Sequence, residues 1–119
     1  IDGALGAHAR QLAKLPFCGN CQIYTTTYVG TGQYGGEYPN SLTFPKAPTA
    51  VMIITSDTGR SMWFVQGCPK AFYWNNNGNL QNCVVTWNGN SLSWYSPYLF
   101  SQMNAQNITY HVIAFAVMD

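Results

Sequence analysis

From residue 21 onward, hydrophobic and polar positions alternate along short segments that are separated by turn residues. Alternation with a period of two, in segments rich in β-branched and aromatic residues, is typical of β-strands. Many short strands without helices between them are typical of an antiparallel sandwich or a small barrel. We predict an all-β domain, an antiparallel β-sandwich of about six to eight short strands. The strands are expected at residues 21–29, 41–44, 51–57, 61–67, 71–74, 83–87, 91–96 and 108–119.

Two Asn-Gly pairs mark the turns of two predicted hairpins. One pair follows the segment 71–74, and the other joins 83–87 to 91–96. Asn-Gly favours tight hairpin turns because both central residues must accept a positive φ. Within the second hairpin, alternation assigns Trp87, Leu92 and Trp94 to the core and Tyr95 to the outside.

The first 15 residues have the periodicity of a helix. Leu5, His8, Leu12 and Leu15 follow one another at spacings of three, four and three residues, which is a heptad pattern, and Pro16 ends it. A helix this short is marginal by itself in water. We expect either the end of a longer coiled-coil stalk, packed on other chains, or a solvated tail. The predicted organisation is a helical stalk or linker at 1–15 and a β-sandwich at 16–119.

Charged residues make up only 8% of the 119 residues, whereas aromatic residues make up 15%. An ordinary soluble domain has about 25% charged residues, so amide and hydroxyl groups must keep this chain in water. The formal net charge is +1 and the five basic residues are scattered, which argues against nucleic acid as a partner. The longest apolar run, at 112–118, is too short to span a bilayer, so no membrane insertion is expected.

The four cysteines leave several states open. Cys18 and Cys21 form a C-x2-C pair, but a strong zinc signature would show a second closely spaced pair of ligands. A disulfide between Cys68 and Cys83 would close a hairpin, and unpaired buried thiols are the other interpretation. We expect neither a metal nor a cofactor.

Few side chains could carry out catalysis. Glu37 and Asp57 are the only carboxylate side chains away from the chain ends, and nothing in the sequence brings them together. His8 lies in the predicted stalk and His111 in the last predicted strand, so the two are not expected to share a site. A cysteine beside His111 would lack an orienting acid. We therefore predict that the protein is not an enzyme.

The most distinctive side chains are aromatic and amide groups at or beside the predicted turns. Flat aromatic faces stack on the apolar C–H faces of sugar rings, and amides pair with hydroxyls as donor and acceptor. Neutral sugars offer a charged side chain little to bind. The alternative is that these rings belong to the core or to a subunit interface. The candidate carbohydrate-binding residues are Tyr34, Tyr38, Trp74, Asn76, Tyr95 and Tyr98.

Several motifs between residues 23 and 116 occur together. They are the G-T-G-x-Y-G turn of TYVGTGQYGGEYPN, the NSLTF strand, the VVTWNGNSLSWYS hairpin and the closing strand ITYHVIAFA. This set resembles a C-terminal domain of tail fibre and other structural proteins of bacteriophages and prophages, especially those of gut bacteria. The strand pattern, including FPKAPTAVMIITSD, also resembles the H-type lectin fold, an antiparallel sandwich that assembles as a trimer and binds sugars at its subunit edges.

The resemblance implies a non-catalytic receptor-binding tip of a tail fibre, on the virion and outside cells. Its partners would be two further copies of itself in a homotrimer, a bacterial surface glycan, and the upstream fibre shaft or other virion proteins. The apolar face left over from each sandwich would pack about the threefold axis. The alternative is a purely structural virion module, such as a head fibre, collar or baseplate decoration, whose aromatic residues make protein contacts.

Overall fold

The computed structural model describes residues 21–74, 78 and 80–117. Within these residues the chain forms eight β-strands and no helix. The strands are β1 (Cys21–Val29), β2 (Asn40–Thr43), β3 (Ala50–Thr55), β4 (Ser61–Val65), β5 (Lys70–Trp74), β6 (Leu80–Asn88), β7 (Ser91–Tyr95) and β8 (Thr109–Val117).

The strands form two antiparallel sheets of four strands each. The first sheet has the order β1-β8-β3-β4, and the second has the order β2-β7-β6-β5. One side of each sheet supplies side chains to a single shared core, because inward residues alternate with outward ones along every strand. The predicted all-β, antiparallel architecture is therefore confirmed. The largest fully buried core side chains are Ile53, Met62, Phe64, Leu92, Trp94, Met103 and Tyr110.

The second predicted hairpin forms as the alternation indicated. Asn88 pairs with Ser91 across the turn, and Gly89 has a φ of 61°, the left-handed conformation that favours glycine. Leu92 and Trp94 are fully buried. Trp87 lies at the margin of the core and is only partly buried, whereas Tyr95 lies on the outer face of the second sheet, as predicted.

The strand directions give the sandwich two distinct ends. β1 starts at Cys21 opposite Val117 and finishes at Val29 opposite Thr109. The connections β1–β2, β3–β4, β5–β6 and β7–β8 all lie at the end where β1 finishes, which we call the loop end. The opposite end, where β1 starts, is the entry end. Nine residues of strand separate the two ends by about 30 Å.

The predicted stalk residues Leu5, His8, Leu12 and Leu15, and the boundary between residues 15 and 16, lie outside the described residues. No helix in the described ranges has the length and hydrophobicity needed to cross a membrane.

Candidate functional site

A groove with a volume of about 520 Å³ opens at the loop end of the sandwich. It lies between the β1–β2 loop, the β3–β4 turn, the facing ends of β5 and β6, and the β7–β8 connection. This volume falls within the range of small-molecule sites, which is roughly 300 to 1,000 Å³. We call it the loop-end groove. Its lining includes the side chains of Tyr34, Asp57, Arg60, Tyr73, Gln81, Tyr98 and Phe100.

Three aromatic rings of the loop-end groove are exposed to solvent. The exposed fractions are 48% for Tyr34, 54% for Tyr98 and 66% for Phe100. Tyr34 comes from the β1–β2 loop, and the other two come from the β7–β8 connection. Several exposed aromatic rings around one concave surface are more typical of a binding site than of single surface residues.

The β3–β4 turn brings one carboxylate and one guanidinium to the groove. The Arg60 guanidinium donates a hydrogen bond from Nη1 to the Tyr73 hydroxyl at 3.1 Å and lies over the Tyr73 ring, 5.9 Å from its centroid. Asp57 is exposed, and its carboxylate makes no hydrogen bond or ion pair with any other described residue. Its oxygens are therefore free to accept hydrogen bonds from a ligand.

Local hydrogen bonds hold this turn in one conformation. The Thr55 and Thr58 hydroxyls lie 2.7 Å apart, and the Arg60 amide donates to the Thr55 hydroxyl at 3.1 Å. Gly59 has a φ of 70°, which an L side chain rarely adopts. The backbone positions of Asp57 and Arg60 are consequently set by the turn itself and do not depend on a ligand.

Tyr110 lies below the exposed rings and is buried. Its hydroxyl accepts a hydrogen bond from the Ala105 amide at 2.9 Å. Burial raises the pKa of Tyr110, and the negative charge of Asp57 raises it further. The hydrogen bond from the Ala105 amide lowers this pKa in part. The floor of the groove is therefore an uncharged hydroxyl at neutral pH.

A fully buried amide, Gln102, connects the two loops that carry the exposed rings. Its Oε1 accepts hydrogen bonds from the backbone amides of Gly35 and Ser96, each at 2.9 Å. Its Nε2 donates to the carbonyl of Tyr38 at 2.7 Å and to the Asn40 side chain at 3.1 Å. Because all four partners are protein groups, Gln102 orders the loops and is not available to a ligand.

The backbone of Tyr98 is held by two buried serines. Its amide donates to the Ser96 hydroxyl at 3.3 Å, and the Ser101 hydroxyl donates to its carbonyl at 3.0 Å. The ring of Tyr98 thus projects from an ordered backbone, which lowers the entropy that a ligand would have to overcome.

A second groove, of about 400 Å³, contains Glu37 and Tyr38. Two of its amide side chains already have protein partners. The Asn104 side chain accepts from the Thr31 amide at 3.1 Å and donates to the Gln33 carbonyl at 2.7 Å, and Asn40 is bonded to Gln102. The loop-end groove offers more exposed aromatic surface, since three of its rings are exposed whereas Tyr38 is the exposed ring of the second groove.

The structure brings together only some of the predicted carbohydrate-binding residues. Tyr34 and Tyr98 both line the loop-end groove. Tyr38 lines the second groove, and Tyr95 is half-buried on the outer face of the second sheet, with its ring next to Gly36. Asn76 and the side chain of Trp74 lie outside what the structure describes.

Sequence reasoning did not select Asp57, Arg60 or Phe100 as ligand-binding residues. One sequence signal could have identified Asp57 and Arg60. These two oppositely charged residues are three positions apart at a Thr-Gly turn, in a chain that has few charges. Nothing in the sequence separated Phe100 from a core phenylalanine.

The cysteine side chains of the described residues are free thiols. Cys68 is exposed and Cys83 is buried, so the structure does not contain the disulfide between them that the sequence left open. The Cys83 thiol donates to the Ser101 carbonyl at 3.0 Å, and burial raises its pKa to about 12. No group of three or more potential ligands in the described ranges could hold a metal ion.

Comparison with known proteins gives no relative, since no family model, no curated protein and no solved structure matches the chain.

Proposed function

We propose that this chain is a non-catalytic receptor-binding module that binds cell-surface carbohydrate in the loop-end groove, as the homotrimeric tip of a bacteriophage tail fibre. The observation that carries the proposal is the convergence of three exposed aromatic rings on one groove that also contains a free carboxylate. The fibre assignment comes from the sequence motifs, and the groove supplies the candidate site.

The chemistry of the groove suits a sugar. Exposed rings can stack on the apolar face of a pyranose, and the ring edges attract its C–H groups. The Asp57 carboxylate can accept from two vicinal hydroxyls, while Arg60 keeps N–H donors beyond the one bonded to Tyr73. One negative and one positive group leave the groove without a net charge, which favours a neutral saccharide.

The placement of the groove supports a position at the tip of a fibre. β1 enters the domain at the entry end, about 30 Å from the loop end where the groove opens. A shaft that joins the chain ahead of β1 would therefore leave the groove pointing away from the virion. A groove beside the entry end would have been covered by such a shaft.

Binding to an array of bacterial surface glycans tests the proposal. We expect the full chain to retain at least one saccharide class, and we expect Tyr34→Ala and Tyr98→Ala to bind it about tenfold more weakly, since a lost stacking contact costs roughly 1 to 1.5 kcal/mol. Tyr38→Ala is the matched control, because Tyr38 and Tyr34 are both 48% exposed but only Tyr34 lines the groove.

Two outcomes would count against the groove. One is that no glycan is retained by the unmodified chain. The other is that Tyr34→Ala and Tyr98→Ala bind like the unmodified chain while Tyr38→Ala does not, which would move the site to the second groove.

A purely structural virion module is the second candidate, and it is favoured by the exposed apolar side chains on the outer side of the first sheet, such as Ile23, Trp63 and Val117. This candidate predicts stable assembly with no glycan retained on the array. Recognition of carbohydrate is preferred because the loop-end groove concentrates free polar and aromatic groups that a protein contact alone would not require.

A further inference from the structure

Two buried tyrosine hydroxyls form the floor of the loop-end groove, one from each sheet. Tyr73 on β5 is 5% exposed and Tyr110 on β8 is 1% exposed, and both side chains line the groove. The pKa of Tyr110 is raised mainly by burial and further by electrostatic interaction with Asp57 and Tyr73, so the two hydroxyls lie close enough to interact. A ligand that reaches the floor therefore meets both phenols.

The oxygen of each hydroxyl already accepts a hydrogen bond from the protein. Nη1 of Arg60 donates to the Tyr73 hydroxyl at 3.1 Å, and the Ala105 amide donates to the Tyr110 hydroxyl at 2.9 Å. Neither hydroxyl proton has an acceptor among residues 21–74, 78 and 80–117. Because most buried donors in proteins are paired, the floor presents two O–H donors for which a ligand can supply the acceptor.

A carbonyl oxygen suits these two donors better than a sugar hydroxyl does. It has two lone pairs and brings no proton, so it can accept from both phenols at once. A sugar hydroxyl would bring a proton to a floor where both phenol oxygens already accept from Arg60 and Ala105. A buried donor that is left without a partner weakens binding.

The side chains around the two phenols suit the rest of an acyl group. Leu99, Ala105 and Ile108 line the same groove and offer a methyl group an apolar surface. Gln81 lies opposite Tyr73 in the register of β5 and β6, is half-buried, and makes no hydrogen bond with another described residue. Its amide can donate to an ester oxygen or accept from an amide N–H. The floor therefore suits an O-acyl and an N-acyl group alike.

A carboxylate also offers only acceptor oxygens, but the charges of the groove count against it. Besides burial, the negative charge of Asp57 raises the pKa of Tyr110, so a second anion at the floor would be repelled by Asp57 as well. The Arg60 guanidinium is directed toward Tyr73, with Nη1 bonded to the hydroxyl and its carbon 5.9 Å from the ring centroid. A neutral acyl carbonyl avoids this repulsion.

We propose that the loop-end groove selects sugars that carry an acyl substituent, whose carbonyl oxygen accepts hydrogen bonds from the Tyr73 and Tyr110 hydroxyls and whose methyl group packs on the apolar lining. The proposal rests on the proposed function, since it assigns the class of saccharide that is bound at the same site. In this arrangement the exposed rings of Tyr34 and Tyr98 stack on the sugar and supply affinity, whereas the floor supplies selectivity.

Binding of the full chain to matched glycans with and without acyl groups tests the proposal. Bacterial surface polysaccharides are arrayed before and after mild alkali, which cleaves O-acetyl esters and leaves amides intact. Sugars with a 2-acetamido group are arrayed beside their 2-hydroxy counterparts. We expect the acylated member of at least one of these two kinds of pair to bind about tenfold more tightly, since its partner loses hydrogen bonds to buried donors.

Removal of either floor hydroxyl should reduce this preference. Tyr73→Phe and Tyr110→Phe each delete one donor, and we expect each to lower the preference to about threefold or less. Tyr28→Phe is the matched control, because the Tyr28 hydroxyl donates to the Met103 carbonyl at 2.8 Å and its side chain lines the second groove. If Tyr110→Phe does not fold, Tyr73→Phe decides, since Tyr73 lies on the other sheet.

Equal binding of acylated and unacylated glycans by the unmodified chain would overturn the proposal. So would a full preference in both Tyr73→Phe and Tyr110→Phe, an equal loss of preference in Tyr28→Phe, or tighter binding of uronic acids than of neutral acylated sugars. Tyr98→Ala should weaken both members of a pair to the same extent. Retention of glycans without an acyl preference therefore refutes this inference alone, whereas retention of no glycan refutes the proposed function as well.

Discussion

The side-chain oxygen of Gln102 accepts a hydrogen bond from the backbone amide of Gly35, 67 residues earlier in the chain, at 2.9 Å. Gly35 follows Tyr34 in the Gly-rich loop, and the same oxygen accepts from Ser96, two residues before Tyr98. One buried amide therefore determines the separation of two loops that each present a ring to the groove. Its loss should affect both stability and the geometry of the site.

Replacement of Gln102 by methionine should be strongly destabilising. The side chain keeps its length but loses four hydrogen bonds, which leaves buried amides and a carbonyl without partners. We expect the free energy of unfolding to fall by about 3 kcal/mol or more, measured by urea denaturation. Gln66→Met, at an exposed turn, should change it by less than about 0.5 kcal/mol. Equal effects of the two variants would contradict the role assigned to Gln102.

Alanine at Gly30 should prevent normal packing of the β1–β2 loop. An added Cβ would overlap the backbone carbonyl of Ala105, and the flanking hydrogen bond from the Gly30 amide to the Ile108 carbonyl at 2.9 Å leaves little room to move. We expect a loss of about 3 kcal/mol or more in thermal unfolding experiments. Gly36→Ala is the control, since its Cβ would make only an ordinary contact with the Tyr95 ring. The interpretation fails if Gly30→Ala is as stable as Gly36→Ala.

Two tryptophans of the second sheet should respond differently to phenylalanine. The Trp94 indole is 1% exposed and donates from Nε1 to the Gln102 carbonyl at 2.8 Å. Nε1 of Trp87 is buried without a hydrogen-bond partner among the described residues. Trp94→Phe therefore removes a bond and leaves a cavity, whereas Trp87→Phe removes an unsatisfied donor. Chemical denaturation should show Trp94→Phe to be less stable by about 1.5 kcal/mol or more, and the reverse order would contradict this assignment.

Alkaline pH should destabilise the fold through Cys83. Burial raises the pKa of this thiol from 9.0 to about 12. Because the folded pKa exceeds the unfolded one, the stabilisation is complete below pH 9 and is lost as the pH rises toward 12, at about 1.4 kcal/mol per pH unit. Urea unfolding at pH 8.5 and pH 10.5 should show a smaller decline for Cys83→Ala than for the unmodified chain. Cys68→Ala, at an exposed position, should decline like the unmodified chain, and equal slopes for all three would refute the prediction.

Much of the fold could be predicted because its signals are local. The strand β7 alternates between polar and apolar residues, so the burial of Leu92 and Trp94 and the outward position of Tyr95 followed from a period of two. The Asn-Gly signal also placed the turn correctly, but only Gly89 takes a positive φ, because Asn88 belongs to β6 and the two turn residues are Gly89 and Asn90. The burial of Trp87 was less well predicted, because Trp87 lies at the margin of the core, where alternation does not indicate how deeply a side chain is buried.

The candidate site was predicted only in part. Proximity to a turn identified Tyr34 and Tyr98, but the same criterion also selected Tyr38 and Tyr95, which lie elsewhere. Phe100 and the Asp57–Arg60 turn were not selected. Separating these groups requires knowing which loops meet at one end of the sandwich, and that depends on the pairing of distant strands.

The sequence by itself determined the strands, the turns and the scarcity of charge, because each depends on neighbouring residues or on composition alone. Only the tertiary structure decided which outward residues of four separate strands form one apolar face, and which loops enclose one groove. The physical reason is that strand register is a long-range property. One row of the first sheet contains Val65, Ala50, Phe115 and Ile23, because backbone hydrogen bonds join segments up to 92 residues apart. No local sequence pattern predicts this register.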